Sequence, residues 1–312
     1  MGGGLAGPEL ASAVAAAGGL GTLGLAPAAV LRESIQQVRD GADGRAVAVN
    51  LLMPFVRRSH VEECVNARVD VVVMAFGIDR AMIERLTQHG VFVFVMVGTG
   101  RQARRAIAWG ADGLIAQGCE AGGHLAGDTG ALTFLPEALE VAAGRPVLLA
   151  GGIATAQDTR AALAGGADGV VAGTRFLLTH ESRAHPEYQR RILAADRTIK
   201  TTLFGMGWPA PHRVVANAAT RRWCHDDGEA RLVPRIVNAG SGLLPTLPDR
   251  AAASVIRLQA PALPLFSPIP PTTGMSDTVV DRAALYAGET VLRITSVISA
   301  RQAVADLAPG GQ

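Results

Sequence analysis

The sequence predicts an α/β fold, on three observations. Seven short apolar runs recur along residues 20–172, and successive runs start 22 to 33 residues apart, the length of one strand–helix unit. The runs are continuous rather than alternating, as in VDVVVM (69–74) and VFVFVMV (91–97), which marks parallel strands covered on both faces. The turns ahead of three runs share an aspartate: Gly110-Ala111-Asp112, Gly166-Ala167-Asp168 and, more loosely, Arg68-Val69-Asp70. Seven regular repeats point to a (β/α)8 TIM barrel. An eighth strand has no room after residue 180 and would precede Met1. The chain opens on MGGGL, which reads as the loop after a first strand, so that strand is expected to be truncated or the start misplaced.

Taken in order, a helix over Pro8–Ala17 leads to a strand at Leu20–Leu23, and a helix over Pro27–Arg39 to the strand AVAVN at 46–50. Helices over Val56–Asn66, Asp79–His89 and Gln102–Trp109 precede strands at Val69–Met74, Val91–Val97 and Gly113–Ala116. Phe134–Ala143 and Ala156–Ala164 are helical, with strands at Pro146–Ala150 and Gly169–Ala172. Beyond Thr179 the rhythm stops. Residues 180–280 are rich in Arg, Pro and Thr, with helical pieces at Glu187–Ala195 and Pro211–Arg222, and PALPLFSPIPPTTG (261–274) is a proline-stiffened loop. A last helix is expected at Ala300–Leu307. The expected organisation is therefore a barrel over 1–180, a small, mainly helical lid subdomain over 181–280, and a C-terminal segment, 281–312, that packs back on the barrel.

Composition narrows the function. Of 312 residues, 49% are hydrophobic and only 4% aromatic, which suits many tightly packed strand–helix units. A net charge of +2, with no basic stripe interleaved with aromatics, argues against nucleic acid. Lys200 is the only lysine, and the excess of Arg reads as codon bias. Cys64, Cys119 and Cys224 form no CxxC pair, so neither a zinc site nor a disulfide framework is expected, in keeping with a reducing cytoplasm. No signal peptide and no apolar run long enough to span a membrane is present, which predicts a soluble cytoplasmic protein.

The chemistry concentrates in GLIAQGCEAGGH (113–124). An apolar strand ends at Gln117, breaks into a glycine-rich loop and exits at an imidazole, His124. His60, His89, His180, His185 and His225 read as packing or surface residues. His124 differs because it follows flexible positions at a strand's C-terminal end, where barrel active sites form. Two glycine loops follow the last two strands: Gly151-Gly152-Ile153-Ala154-Thr155 and Gly173-Thr174-Arg175. Loops in those positions converge backbone N–H groups on a phosphate, and a Cβ would keep the backbone from its oxygens. Glu120 reads as a loop-stabilising carboxylate and Cys119 as a small buried residue. Trp208, His212 and Arg213 fit the lining of a substrate entrance or a packed turn, equally.

AQGCEAGGHLAGDTGALTFLPE (116–137) followed by PVLLAGGIATAQDTRAALAGGADGVVAGTRFL (146–177) resembles the nitronate monooxygenase (2-nitropropane dioxygenase) family of FMN-dependent TIM-barrel enzymes. The likeness covers residues 1 to about 180, with echoes in GWPAPHRVVAN (207–217) and LYAGETV (285–291). It does not separate these monooxygenases from related flavin enoyl-acyl-carrier-protein reductases and NADH:quinone reductases. The resemblance implies that Asn50 and Gln117, each at the end of its strand, contact the isoalloxazine ring, with Met1 and Gly2 in a ring-contacting segment. Ala121, Gly122 and Gly123 would run along the flavin by their backbones. Ala150, Gly151, Gly152, Gly173 and Thr174 would hold the FMN, the last four at its phosphate. Met74 stands where the family commonly has a small polar residue, which implies a less polar pocket beside the ring. His124 would be the catalytic base, since an imidazole of ordinary pKa near 6.5 is matched to removing a nitroalkane's α-proton. For a substrate arriving as nitronate, His124 would position the nitro oxygens.

Three functions compete. The first is oxidation of nitronates or nitroalkanes by FMN and O2. The second is an NAD(P)H-dependent flavin reductase of the same fold, acting on a quinone or an enoyl-ACP; no separate GxGxxG fingerprint accompanies it. The third is a non-catalytic relative that binds a phosphoryl ligand. The expected partner is a small molecule, and a homodimer is left open.

Overall fold

The computed structural model describes residues 4–241 and 260–310. The chain divides into two compact units, one comprising Met1–Glu120, Ala126–Arg183 and Ser296–Gln312, the other Ala121–Leu125 and Ala184–Thr295. The candidate ring and loop residues Ala121, Gly122, Gly123 and His124 thus fold with the second unit although they follow a barrel strand. Met1 and Gly2 lie outside the described residues.

The first unit is a seven-stranded parallel sheet built from β1 (Gly21–Leu23), β2 (Val47–Leu52), β3 (Val71–Ala75), β4 (Phe92–Val97), β5 (Gly113–Gln117), β7 (Val147–Ala150) and β8 (Gly169–Val171); β6 (Gly123–His124) belongs to the second unit. Neighbours in the sheet are neighbours in sequence, each strand returning through a helix, which is the curled arrangement of a TIM barrel. The helices are α1 (Pro8–Ala16), α2 (Ala28–Gly41), α3 (Arg58–Asn66), α4 (Arg80–Thr87), α5 (Gly100–Ala108), α6 (Ala131–Ala142), α7 (Ala156–Ala164) and the short α8 (Thr174–Leu177). Outward strand residues such as Val49, Leu51, Val72, Val95 and Leu149 share one core with Leu31, Ile35, Ile83, Leu86, Phe134 and Leu135 of the helices. The inward row, Val73, Phe94, Ile115 and Ala150, forms a second cluster. Two apolar faces per strand explain why the runs read as continuous.

The repeated aspartates have one physical role. Each precedes a strand and accepts a hydrogen bond from the neighbouring strand's start: Val47 N–H to Asp70, Val93 N–H to Asp112 and Val147 N–H to Asp168, all at 2.8 Å. In return the aspartates' own N–H groups donate to the carbonyls of Val47, Val93 and Val147. Each pair fixes the register of one parallel step where the chain turns from helix to strand, and a charge-assisted bond of this kind is worth about 1.5–3 kcal/mol. Side-chain caps start α4, α5 and α7 at Asp79, Thr99 and Thr155. The C-terminal helix α12 (Ala300–Leu307) joins this unit through a bond from Ala300 N–H to Glu181 at 2.8 Å and through Arg175, whose guanidinium donates to the carbonyls of Leu178 and Ser296 at 2.7 Å.

The second unit contains an antiparallel sheet in the order β6–β10–β9, where β9 is Ile199–Thr201 and β10 is His212–Val214. Helices α9 (Pro186–Leu193), α10 (Ala218–Trp223) and α11 (Leu232–Gly240) accompany it, around a core of Leu203, Phe204, Val214, Ala219, Phe266 and Ala284. Here the expected helix over Pro211–Arg222 is corrected. Pro209 and Pro211 supply no backbone N–H, and His212–Val214 extends into a strand instead. Helix begins only at Ala218, where the Asn217 side chain accepts from Thr220 N–H. The Asn217 amide also donates to the carbonyls of Val280 and Ala283, tying α10 to the later chain. Residues 261–274 carry neither helix nor strand, as their prolines require. Among the described residues, no helix is long and apolar enough to cross a membrane.

Candidate active site

In the first unit the parallel register decides which strand residues face inward. Asn50 pairs with Val73 and Gln117 with Ala150, and both partners belong to the inward cluster. Paired residues share a face, so Asn50, Gln117 and Ala150 all point to the inside of the sheet. Two expectations are corrected by the same register. Asn50 lies inside β2, which continues to Leu52, rather than at its end. Met74 pairs with Leu51 and Val95 and packs among the helix-facing side chains, because it is one residue out of phase with Val73. It cannot tune the polarity of an inward pocket.

The two carboxamides are differently employed. Gln117 Oε1 accepts Ala126 N–H at 2.7 Å, which pulls the returning loop onto the end of β5. Asn50 is 8% exposed, and its Oδ1 meets no hydrogen-bond donor among the described residues. A buried amide oxygen without a donor costs about 1–3 kcal/mol, so this atom fits a site for a donor carried by a ligand. Glu120 is engaged structurally, accepting Ala131 N–H with both oxygens at 3.1 and 3.0 Å at the start of α6, whose preceding Gly130 offers no side-chain cap. Cys119 is half-buried rather than fully buried.

At the ends of the adjacent strands β7 and β8 lie the two glycine loops. Gly151 and Gly152 hold φ values of +108° and +73°, the left-handed region that favours glycine. A Cβ built at Gly152 or at Gly173 would meet nothing within 4 Å, so both backbones border open space. Thr174 is buried beside Gly173. The N–H groups of Ala154 and Thr155 both donate to Asp158 at 2.9 Å, which fixes the turn that follows the glycines. The backbone shape and the open space fit a phosphate.

In the second unit His124 sits in an aromatic nest. Trp208 stacks on it with ring centroids 3.5 Å apart and planes 8° from parallel. His212, directly opposite it across the β6–β10 pair, and Tyr286 approach to 4.9 and 5.5 Å. Gly122 permits this arrangement, since a Cβ there would come within 2.4 Å of Gly288 N. Burial pushes His124 well below the usual histidine range, and the neighbouring His212 adds to the shift. His212, fully buried, is lowered to about 4 by burial. Its Nδ1 donates to Ala210 O at 2.9 Å and its Nε2 accepts Phe204 N–H at 3.3 Å, so the neutral ring is fully used. Burial likewise pushes the Tyr286 hydroxyl up, and that hydroxyl donates to Pro268 O at 2.9 Å. Arg213 is ion-paired with Glu289 at 3.0 Å. His124 is therefore a neutral imidazole at ordinary pH, not the group of unperturbed affinity that its sequence suggests.

Among the other histidines, His60 accepts Arg57 N–H at 2.9 Å and His185 accepts Glu187 N–H at 3.2 Å, both at helix starts. Tyr286 is the residue that reading the sequence did not single out; its only signal was the LYAGETV echo. Among the described residues no group of three or more His, Cys, Asp or Glu is placed to hold a metal ion.

The family model for nitronate monooxygenase matches residues 44–310. A (3aS,4S,5R,7aS)-5-hydroxy-7a-methyl-1-oxo-octahydro-1H-indene-4-carboxyl-CoA dehydrogenase of Mycobacterium tuberculosis is 38% identical over 219 residues, which cover 68% of this chain and 60% of that protein. The chain thus spans about 60% of the length of this relative. FabK from Thermotoga maritima superposes with a TM-score of 0.76 at 27% identity, covering 98% of this chain and 90% of its own. Nitroalkane oxidase from Streptomyces ansochromogenes gives a TM-score of 0.76 at 29% identity, covering 99% and 92%.

Proposed function

The chain belongs to the nitronate monooxygenase family, and on that premise we propose that it is an FMN-dependent oxidoreductase that oxidises small nitronates with dioxygen. The observation that carries the cofactor is the buried Asn50 Oδ1, which has no donor among the described residues and lies on the same sheet face as Gln117 and Ala150. In this reading Asn50, Gln117 and Ala150 orient the isoalloxazine ring, and Gly151, Gly152, Gly173 and Thr174 hold the phosphate. FMN held there would supply an electron acceptor for substrate oxidation, with dioxygen as the terminal oxidant.

His124 is the proton-handling group. Its depressed proton affinity keeps it in the unprotonated form that a base requires. The same depression weakens it as an acceptor of a nitroalkane's α-proton. A nitronate needs no abstraction, and its negative charge favours any proton that His124 holds toward the nitro oxygens. Nitronates are accordingly the better substrates, with neutral nitroalkanes slower.

Anaerobic stopped-flow reduction of the FMN-loaded protein tests this. Propionate-3-nitronate should bleach the flavin fastest, neutral nitroalkane more slowly and NADH least. His124→Ala should abolish reduction by the nitroalkane with FMN still bound. Faster bleaching by NADH would instead support a flavin reductase of the same fold. Protein that cannot be reconstituted with FMN would overturn both.

A further inference from the structure

We propose that Trp208 is a positioning residue, its indole fixing the imidazole plane of His124 and favouring the ring as it takes up a proton. The inference rests on the reading of His124 as the base. A parallel stack at 3.5 Å restrains rotation of the buried imidazole. Shelf and ring are fastened together. Trp208 N–H donates to Gly205 O at 2.9 Å, and Ala210 N–H donates to Trp208 O at 2.8 Å. Gly207, at φ +81°, donates its N–H to Ser241 Oγ at 2.8 Å. Pro209 and Pro211 fix φ on either side of Ala210, and Pro211 O accepts the N–H of Leu125, the residue after His124, at 2.9 Å. The strand pair that places His212 opposite His124 therefore also sets the height of the indole.

The groups facing His124 explain why a stacked indole matters. His212 from β10 is held neutral by its two backbone partners, and the Tyr286 hydroxyl is committed to Pro268 O. Arg213, next to His212 on β10, is ion-paired with Glu289. Neither facing group, His212 nor Tyr286, brings a negative charge to the imidazole. The indole face does favour a cation, and this attraction grows as the proton arrives. An interaction stronger in the charged state than in the neutral one accelerates proton transfer rather than merely binding.

The test uses histidine-labelled, FMN-loaded protein as wild type, Trp208→Phe and Trp208→Ala, with the His124 ring followed by NMR across pH. The wild-type resonances should show the upfield shift of a ring lying over an indole. Trp208→Ala should lose that shift, and Trp208→Phe, which keeps that face of the ring covered from water, should retain part of it and lower the titration midpoint by up to about one pH unit. With neutral nitroalkane, kcat/KM should fall about tenfold in Trp208→Ala and less in Trp208→Phe. Preformed nitronate, which needs no abstraction, should change much less. An unchanged or raised midpoint in Trp208→Phe, or equal losses with both substrates, would overturn the proposal. Wild-type protein that turns over neither substrate would refute the reading of His124 as base, while the titration still decides what Trp208 does to the ring. Should Trp208→Ala fail to fold, Trp208→Phe carries both measurements.

Discussion

Acidification should unfold this protein partly through one residue, His212. Its ring is fully buried, and its proton affinity falls from the ordinary histidine value to about 4, first through burial. Because the folded value is depressed, protons bind the unfolded chain more tightly. The stability His212 contributes is complete above pH 6.5, is lost as pH falls below that value, and stops changing once pH passes below about 4. Taking 6.5 as the unfolded reference, the loss reaches about 2.5 kcal/mol by pH 4.5 and about 3 kcal/mol at its limit. The measurement is urea denaturation of the full chain at several pH values between 7.5 and 4.5, for wild type and His212→Gln, read by fluorescence. Of the three tryptophans, Trp208 and Trp223 lie in the same unit as His212, so the signal follows the relevant fold. Glutamine stays neutral throughout and retains an amide for the backbone partners. The variant should be less stable at pH 7.5, and the gap should close by about 2.5 kcal/mol at pH 4.5. Parallel stability curves for the two proteins would refute the assignment of His212 as a ring held neutral by the fold.

Three further outcomes follow from the first unit. Gly173→Ala, where φ is −106° and the new methyl meets nothing within 4 Å, should leave thermal stability unchanged yet weaken FMN binding in a flavin titration. Asn50→Ala removes a buried oxygen that has no donor among the described residues, so the flavin-free protein should lose less than about 1 kcal/mol in urea while FMN affinity falls. Asp168→Ala deprives Val147 N–H of its 2.8 Å acceptor at the edge of the sheet and should lower stability by about 1.5–3 kcal/mol, with Asp112→Ala similar at Val93.

The barrel was legible because its determinants are local and periodic. A strand buried on both faces must be apolar at every position, and the runs at 69–74 and 91–97 announce this without knowledge of their neighbours. The aspartates at 70, 112 and 168 were visible as a repeat, although their shared role in bonding an N–H at the start of the adjacent strand appeared only with the register. The glycines at 151, 152 and 173 were visible because lacking a side chain is a property of the residue itself; the open space beside 152 and 173 appeared only in the fold.

What the sequence determined by itself was the fold class, the strand ends at which loops gather, and the identity of His124 as the group that stands apart. It could not determine the direction a side chain faces when one residue of phase separates the two faces, and so Met74 was misplaced beside the pocket. Nor could it determine the state of His124. That depends on Trp208 and Tyr286, 84 and 162 positions further along the chain, and on the cross-strand pairing with His212. Proton affinity is set by the solvent a group loses and the charges it gains, and both are properties of three-dimensional neighbours. Tertiary structure therefore decided that His124 is a neutral imidazole stacked on an indole, where the sequence alone presented a histidine at the end of a glycine loop.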